Sequence, residues 1–222
     1  MNDNVYQIAI DGPSGSGKST LAKGAAEKLG IMYLDTGAMY RTCALCAIKS
    51  GIDPKDEEAV KDMLGSMDLK IKFEDGIQHM LLNGEDVTGS IRTPEVSMAA
   101  SAISALPVIR TAMVDMQRKI AADQSFVVDG RDIGSVVLPD ARYKFFLTAS
   151  SEARAKRRCL ELEQKGTPQA YEDVLKDIIQ RDKQDSERAA SPLVKVDDAI
   201  LIDTSDIGIE ETLELLLSYI KE

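Results

Sequence analysis

Tyr6-Gln7-Ile8-Ala9-Ile10-Asp11-Gly12-Pro13-Ser14-Gly15-Ser16-Gly17-Lys18-Ser19-Thr20 is the stretch that decides the fold. Tyr6 to Ile10 is an apolar run ending at Asp11, a glycine-rich turn follows, and Ser19 to Leu29 reads as a helix, so the unit is strand, loop, helix. Within it, Gly12 to Ser19 matches G-x-x-x-x-G-K-[ST] in the strand-to-helix setting that this phosphate-binding loop requires. The glycines let successive backbone N–H groups turn inward around a phosphate. The start of the helix adds the positive end of its dipole at the same place. Lys18 is expected to reach the β- and γ-phosphates of a nucleotide, and the Ser19 hydroxyl to ligate magnesium.

Working outward, Ile31–Leu34, Ser125–Val128, Tyr143–Leu147 and Ala199–Ile202 are further short apolar runs bounded by polar or turn residues. They lack polar alternation, as expected of parallel strands covered on both faces. Helical stretches lie between them: Gly37 to about Lys49, Glu152–Gln164, Tyr171–Arg188 and Ile209–Lys221. The expected fold is α/β, a five-stranded parallel sheet with helices on both faces and right-handed crossovers. One region departs from this. Leu69–Phe73 and His79–Leu82 are strand-like runs joined by Glu74-Asp75-Gly76, and Asn83-Gly84 makes another turn. They predict a small antiparallel β/α insertion at residues 61–104, flanked by a core at 1–60 and 105–222.

The 222 residues suit one α/β domain with an insertion, and 44% apolar with 29% charged residues is ordinary for a globular protein. The N-terminal MNDNVYQIAI has no basic leader and no stretch approaches a membrane span, so a cytoplasmic protein is expected. A formal charge of −10 argues against nucleic-acid or membrane partners. A monomer is the default expectation. Cys43 and Cys46 form a C-x-x-C spacing, but mid-helix and without a second pair, so they read as small buried residues. His79, the only histidine, reads as a surface residue of the insertion.

A GTPase would carry N-K-x-D, but Asn2, Asn4 and Asn83 are the only asparagines and none precedes lysine. A kinase for a small acceptor needs a second anion site rich in arginine. Arg41 follows the second strand and Arg131, in Asp129-Gly130-Arg131-Asp132, follows the third; strand ends of this kind line one crevice in an open parallel sheet. Arg181, Asp185 and Arg188 fall near one helix face. Arginine suits this work because its planar fork holds phosphate oxygens bidentately. Arg154, Lys156, Arg157 and Arg158 open the helix after the fourth strand. A solvated basic face is their ordinary reading, and a lid closing over a nucleotide, at about residues 150–168, is the functional one.

G-P-S-G-S-G-K-S-T, L-D-T-G-A-M-Y-R, D-G-R-D-I-G and R-D-x-x-D-S-E-R with S-P-L, in that order, resemble the bacterial cytidylate kinases from about Tyr6 to the C-terminus. Thr36 stands where serine is frequent in that family. The resemblance implies a P-loop kinase fold, ATP and magnesium as cofactors, and phosphoryl transfer to CMP or dCMP. It implies that Gly12, Pro13, Ser14, Gly15, Ser16, Gly17, Lys18, Ser19 and Thr20 hold ATP, with Arg157 as a further nucleotide contact. Arg41, Arg131 and Arg188 would grip the acceptor phosphate, Arg181 and Asp185 the sugar, and Ser101, Arg110 and Asp132 the base, with Thr36 and Tyr40 also on the acceptor. Lys18, Arg131, Asp132 and Arg188 would be the catalytic set. Cytosine offers an amino donor at N4, which suits Asp132, and acceptors at N3 and O2, which suit Arg110 and Ser101. Asp35 and Asp129 are candidates for holding magnesium through water, or for capping a neighbouring loop. A kinase for another small acceptor and a nucleotide-dependent switch are the rival readings.

Overall fold

The structure is a computed structural model that describes residues 5–164 and 166–220. The leader reading of residues 1–4, and Lys221 of the last expected helix, lie outside the described residues.

Five strands form one sheet: β1 (Gln7–Asp11), β2 (Met32–Asp35), β6 (Phe126–Gly130), β7 (Tyr143–Thr148) and β8 (Ile200–Asp203), in the order β2-β6-β1-β7-β8. β1 pairs in parallel with β6 on one side and with β7 on the other, and β7 pairs in parallel with β8. The register sets Asp11 beside Gly130 and beside Phe146. Ile8, Ala9 and Ile10 of the central strand are all fully buried, which explains the unbroken apolar run: both faces of β1 are covered. A second sheet is antiparallel, β3 (Leu69–Glu74), β4 (Ile77–Leu82) and β5 (Glu85–Asp86) in that order. Its turns are the Asp75-Gly76 and Asn83-Gly84 pairs, whose four residues all have positive φ.

The helices are α1 (Lys18–Leu29), α2 (Thr36–Lys49), α3 (Glu57–Ser66), α4 (Pro94–Ile103), α5 (Pro107–Ile120), α6 (Ser151–Gln164), α7 (Tyr171–Glu187) and α8 (Ile209–Ser218), with a short π-helical turn at Ile133–Val137. The five parallel strands and the helices between them agree with the sequence reading to within two residues at most ends; α3 and the π turn were not anticipated. No single helix among the described residues is long and apolar enough to cross a membrane.

The chain divides into two compact units, one made of residues up to 32 and from 124 onward, the other of residues 33–123. In the first, Phe126, Val127, Val128, Phe145 and Leu147 join β1 in the core. Burying each large apolar side chain contributes roughly 1.5–3 kcal/mol. Leu21, Ala22, Ala25 and Ala26 give α1 its buried face, and the helix lies against β6 and α8. Those small alanines allow close approach, as does Gly24, where an added Cβ would meet Leu213 at 3.1 Å. In the second unit, α2 packs on α4, and Met39, Cys43, Ala47, Ile103, Ile109 and Met113 are buried. Burial pushes the Cys43 thiol up to about 12, and its Sγ lies 3.7 Å from Met113 Sδ, so Cys43 and Cys46 are core residues of α2. His79 sits on β4, half-buried, with Nδ1 2.9 Å from Asp86 Oδ2.

Candidate active site

The phosphate loop joins β1 to α1. Gly12 has φ +152°, and a Cβ there would lie 2.0 Å from the Leu147 carbonyl oxygen, so the strand-to-loop exit admits no side chain. The Lys18 ammonium is buried and donates to the Pro13 carbonyl at 3.1 Å. Burial, and next the neighbouring Arg131 cation, lower the lysine to about 7, with Arg181 adding to the effect and Asp129 and Asp185 opposing it. A lysine crowded by arginines in a buried setting is an anion site awaiting its counter-charge. The Ser19 hydroxyl donates to Asp129 Oδ2 at 2.7 Å, with Asp129 buried at the end of β6. Thr20 is exposed on the first turn of α1.

The segment after β6 bends through Asp129-Gly130-Arg131-Asp132 into the π turn. Asp11 holds that bend: Oδ1 accepts from the Ile133 N–H at 2.8 Å and Oδ2 from the Gly134 N–H at 2.7 Å. Burial pushes the Asp11 carboxyl up to about 6, against the pull of those two N–H groups. Arg131 donates through Nε to Asp185 Oδ2 at 2.8 Å, and through Nη1 to the Gly130 carbonyl. Burial raises Asp185, but Arg131, Arg181 and Arg188 together outweigh it and hold the carboxyl below its ordinary value. Arg188, at the end of α7, donates through Nε to the Ser191 carbonyl at 2.6 Å and brings Nη2 to 3.6 Å from Asp132 Oδ1. Lys18, Ser19, Asp129, Arg131, Asp132, Arg181, Asp185 and Arg188 thus form one charged group within the first unit.

The other expected residues belong to the second unit. Asp35 caps α2, with Oδ1 accepting from the Ala38 N–H at 2.9 Å while Oδ2 pairs with Arg41 Nη2 at 2.8 Å. Of the two roles held open for Asp35, capping is the one its contacts display. Thr36 and Tyr40 are buried on α2, and the Arg110 guanidinium lies over the Tyr40 ring, 5.5 Å from its centroid. Arg110 is buried and also donates to the Ser104 carbonyl at 3.2 Å. Ser101 is half-buried on α4, and its carbonyl accepts from the Ser104 hydroxyl.

Several residues with clear structural roles carried no signal in the sequence. Gln78 on β4 makes a reciprocal pair with the Asp35 backbone, accepting from its N–H at 2.7 Å and donating to its carbonyl at 3.2 Å. Thr204, just beyond β8, donates toward the Ser16 carbonyl, and Arg157 donates to the Thr204 hydroxyl at 3.2 Å and to its carbonyl. In the basic cluster, Arg158 is exposed and pairs with Glu161, whereas Arg154 is only 3% exposed and pairs with Asp182, so a solvated face describes the first and not the second. Asp11 looked like the end of a strand, and only the β1–β6 register reveals what it anchors.

Comparison with known proteins agrees with this site. A family model for cytidylate kinase matches residues 8–222. A cytidylate kinase of Thermosipho melanesiensis is 51% identical over 216 residues, spanning 97% of each chain. Those of Carboxydothermus hydrogenoformans and Caldanaerobacter subterraneus subsp. tengcongensis are each 49% identical, the latter over all of this chain and 97% of its own. A solved structure of an uncharacterized protein from Eubacterium ventriosum covers 97% of this chain and 98% of its own with a TM-score of 0.53 at 16% identity, a likeness of fold alone. With the phosphate loop, the D-G-R-D-I-G bend and the α7 arginines all present over a full-length match, the chain belongs to the cytidylate kinase family.

Proposed function

We infer that the protein transfers the γ-phosphoryl group of ATP directly to the 5′-phosphate of CMP or dCMP, giving CDP or dCDP and ADP. The observation that carries this reading is the charged group of the first unit: arginines and a lysine, held by Asp185, Asp132 and Asp129, gathered at the loop that reads nucleotide phosphates. A phosphate oxygen of the acceptor attacks the γ-phosphorus in line, the bond from that phosphorus to the bridging oxygen breaks, and the electron pair leaves with ADP. The acceptor phosphate is already ionised at neutral pH, so no histidine or cysteine is asked to remove a proton. The chain's contribution is alignment and charge neutralisation.

In this reading Gly12 to Thr20 hold ATP, with Arg157 as a further contact, and Lys18 leaves the Pro13 carbonyl for the phosphates. Arg41, Arg131 and Arg188 hold the acceptor phosphate, Arg181 and Asp185 the sugar, and Ser101, Arg110 and Asp132 the base, beside Thr36 and Tyr40. Lys18, Arg131, Asp132 and Arg188 carry the catalytic load. Residues 61–104 serve as the acceptor-binding insertion and about 150–168 as the lid. The oxygen pair of Ser19 and Asp129, 2.7 Å apart, fits a hard cation, with Ser19 as a direct ligand and Asp129 acting through water. Magnesium bound there with ATP would offset phosphate charge. We place the enzyme in the cytoplasm as a monomer.

The test is to incubate the purified protein with ATP, magnesium and each nucleoside monophosphate in turn, measuring ADP and nucleoside diphosphate. Rapid conversion of CMP or dCMP, with little from AMP or GMP, is the expected result. ADP without any nucleoside diphosphate would overturn the acceptor assignment and leave the phosphate loop standing.

A further inference from the structure

Arg154 occupies a position that nothing in the transfer chemistry explains. It lies on the first turn of α6, 3% exposed, and all its guanidinium nitrogens are engaged. Nε donates to the Ala149 carbonyl at 2.9 Å. Nη1 donates both to the Ser14 carbonyl at 3.0 Å and to Asp182 Oδ1 at 2.9 Å, and Nη2 to Asp182 Oδ2 and the Ser151 hydroxyl. The bidentate pair with Asp182 fixes the plane of the fork. The side-chain stem lies under the tip of the phosphate loop, with Cβ, Cγ and Cδ at 3.5–3.8 Å from where a Gly15 Cβ would stand.

Two consequences follow. The Ser14–Gly15 peptide is a trans plane, so its carbonyl and its N–H point in opposite directions. Holding the Ser14 carbonyl on Arg154 therefore aims the Gly15 N–H away from Arg154, where a phosphate-cradling loop needs its donors. Asp182 sits on α7 next to Arg181 and three residues before Asp185, whose carboxylate holds Arg131. One side chain thus grips both the loop that binds the donor and the helix that carries groups assigned above to the acceptor.

We propose that Arg154 is a positioning residue that orients the Ser14–Gly15 peptide toward ATP and, through Asp182, couples ATP binding to acceptor binding by α7. The coupling half rests on the CMP kinase reading; the peptide half does not. No bond is made or broken by Arg154 itself.

The experiment uses the full chain, Arg154→Lys and Asp182→Asn, with a non-hydrolysable ATP analogue and CMP as probes in isothermal titration. Lysine keeps the charge but cannot make the fork, and Asp182→Asn leaves the arginine in place with its anchor weakened, so a folded variant remains even if one fails to fold. Arg154→Lys is expected to bind the analogue about tenfold more weakly, as suits the loss of a charge-assisted hydrogen bond network. Asp182→Asn should shift affinity in the same direction by a smaller factor. In the parent, saturating analogue should tighten CMP about fivefold or more, and both variants should bring that ratio close to one. A merely structural role would lower the melting temperature and leave the ratio unchanged. Unaltered analogue affinity in both variants, or a parent ratio of one, would overturn the proposal. If the parent neither binds nor phosphorylates CMP, the function reading fails, and the analogue titrations still decide whether Arg154 sets the peptide.

Discussion

Asp11→Asn puts two opposing physical effects in direct competition. In the parent, both carboxylate oxygens accept backbone N–H groups at 2.7–2.8 Å, which favours the charged form. Burial opposes it and wins, lifting the carboxyl from 3.8 to about 6, with Asp132 adding a smaller upward push and Arg131 a smaller downward one. A shift of that size means the ionised group costs the folded chain about 3 kcal/mol at neutral pH. The sign follows from linkage: a raised folded value gives stability that is full below 3.8 and is lost as pH rises through 6. Between roughly pH 5 and pH 7.5 the parent therefore sheds about 1.4 kcal/mol that belongs to Asp11 alone. The amide does not titrate, and it resembles the protonated acid in offering one accepting oxygen. It leaves one of the two N–H groups facing an NH2, at a cost of about 1–3 kcal/mol that does not vary with pH. Urea unfolding of both proteins, followed by circular dichroism at the two pH values, isolates the difference. Asp11→Asn should be the less stable at the lower pH, with the gap narrowing by about 1.4 kcal/mol at the higher. A gap that stays constant, or widens with pH, would refute the reasoning and show that the two backbone donors outweigh burial.

Gly12→Ala places a methyl 2.0 Å from the backbone carbonyl of Leu147 at a φ of +152°, so the loop must move; a loss of about 3 kcal/mol or more in urea unfolding is expected, and an unchanged midpoint would contradict the packing described. Asp132→Ala should reduce the preference for CMP over UMP in kcat/KM by about tenfold or more while changing the KM for ATP little, since it removes the acceptor proposed for the cytosine amino group. Cys43, buried and raised to about 12, should resist iodoacetamide in the native protein at neutral pH, whereas the half-exposed Cys159 should react; native labelling at Cys43 would contradict its core assignment.

The five parallel strands were legible because strands covered on both faces read as short unbroken apolar runs, and each ends in a polar or turn residue. The antiparallel sheet was legible for a different reason: Asp75-Gly76 and Asn83-Gly84 accept the positive φ that tight hairpins impose. The phosphate loop announced itself through spacing and context together. What stayed hidden depends on residues far apart in the chain. Arg154 and Arg158 are one helical turn apart and chemically identical, yet one is buried and the other exposed. The difference arises because α7 delivers Asp182, 28 residues on, and the loop delivers the Ser14 carbonyl, 140 residues back. Gln78 likewise matters only because β4 meets the end of β2. Periodicity records which side of an element is apolar; it does not record what stands opposite a polar atom.

The hidden contacts share one physical purpose. Three carbonyls of the phosphate loop accept from side chains: Pro13 from Lys18, Ser14 from Arg154, and Ser16 from Thr204. Each carbonyl shares a trans plane with the N–H of the next residue, so pulling it outward turns the N–H of Ser14, Gly15 or Gly17 the other way. Alternating grip on the carbonyls is thus how the chain aims its donors before any phosphate arrives. Such a loop cannot relax to satisfy its own N–H groups, and the surrounding cations repel one another, as the lowered Lys18 shows. Stability given up locally in this way is recovered when an anion enters. The Pro13 contact is the one that must break, because Lys18 is both a brace in the free loop and a ligand in the filled one. Arg154 and Thr204 have no such second task, and their contacts can persist through the whole reaction.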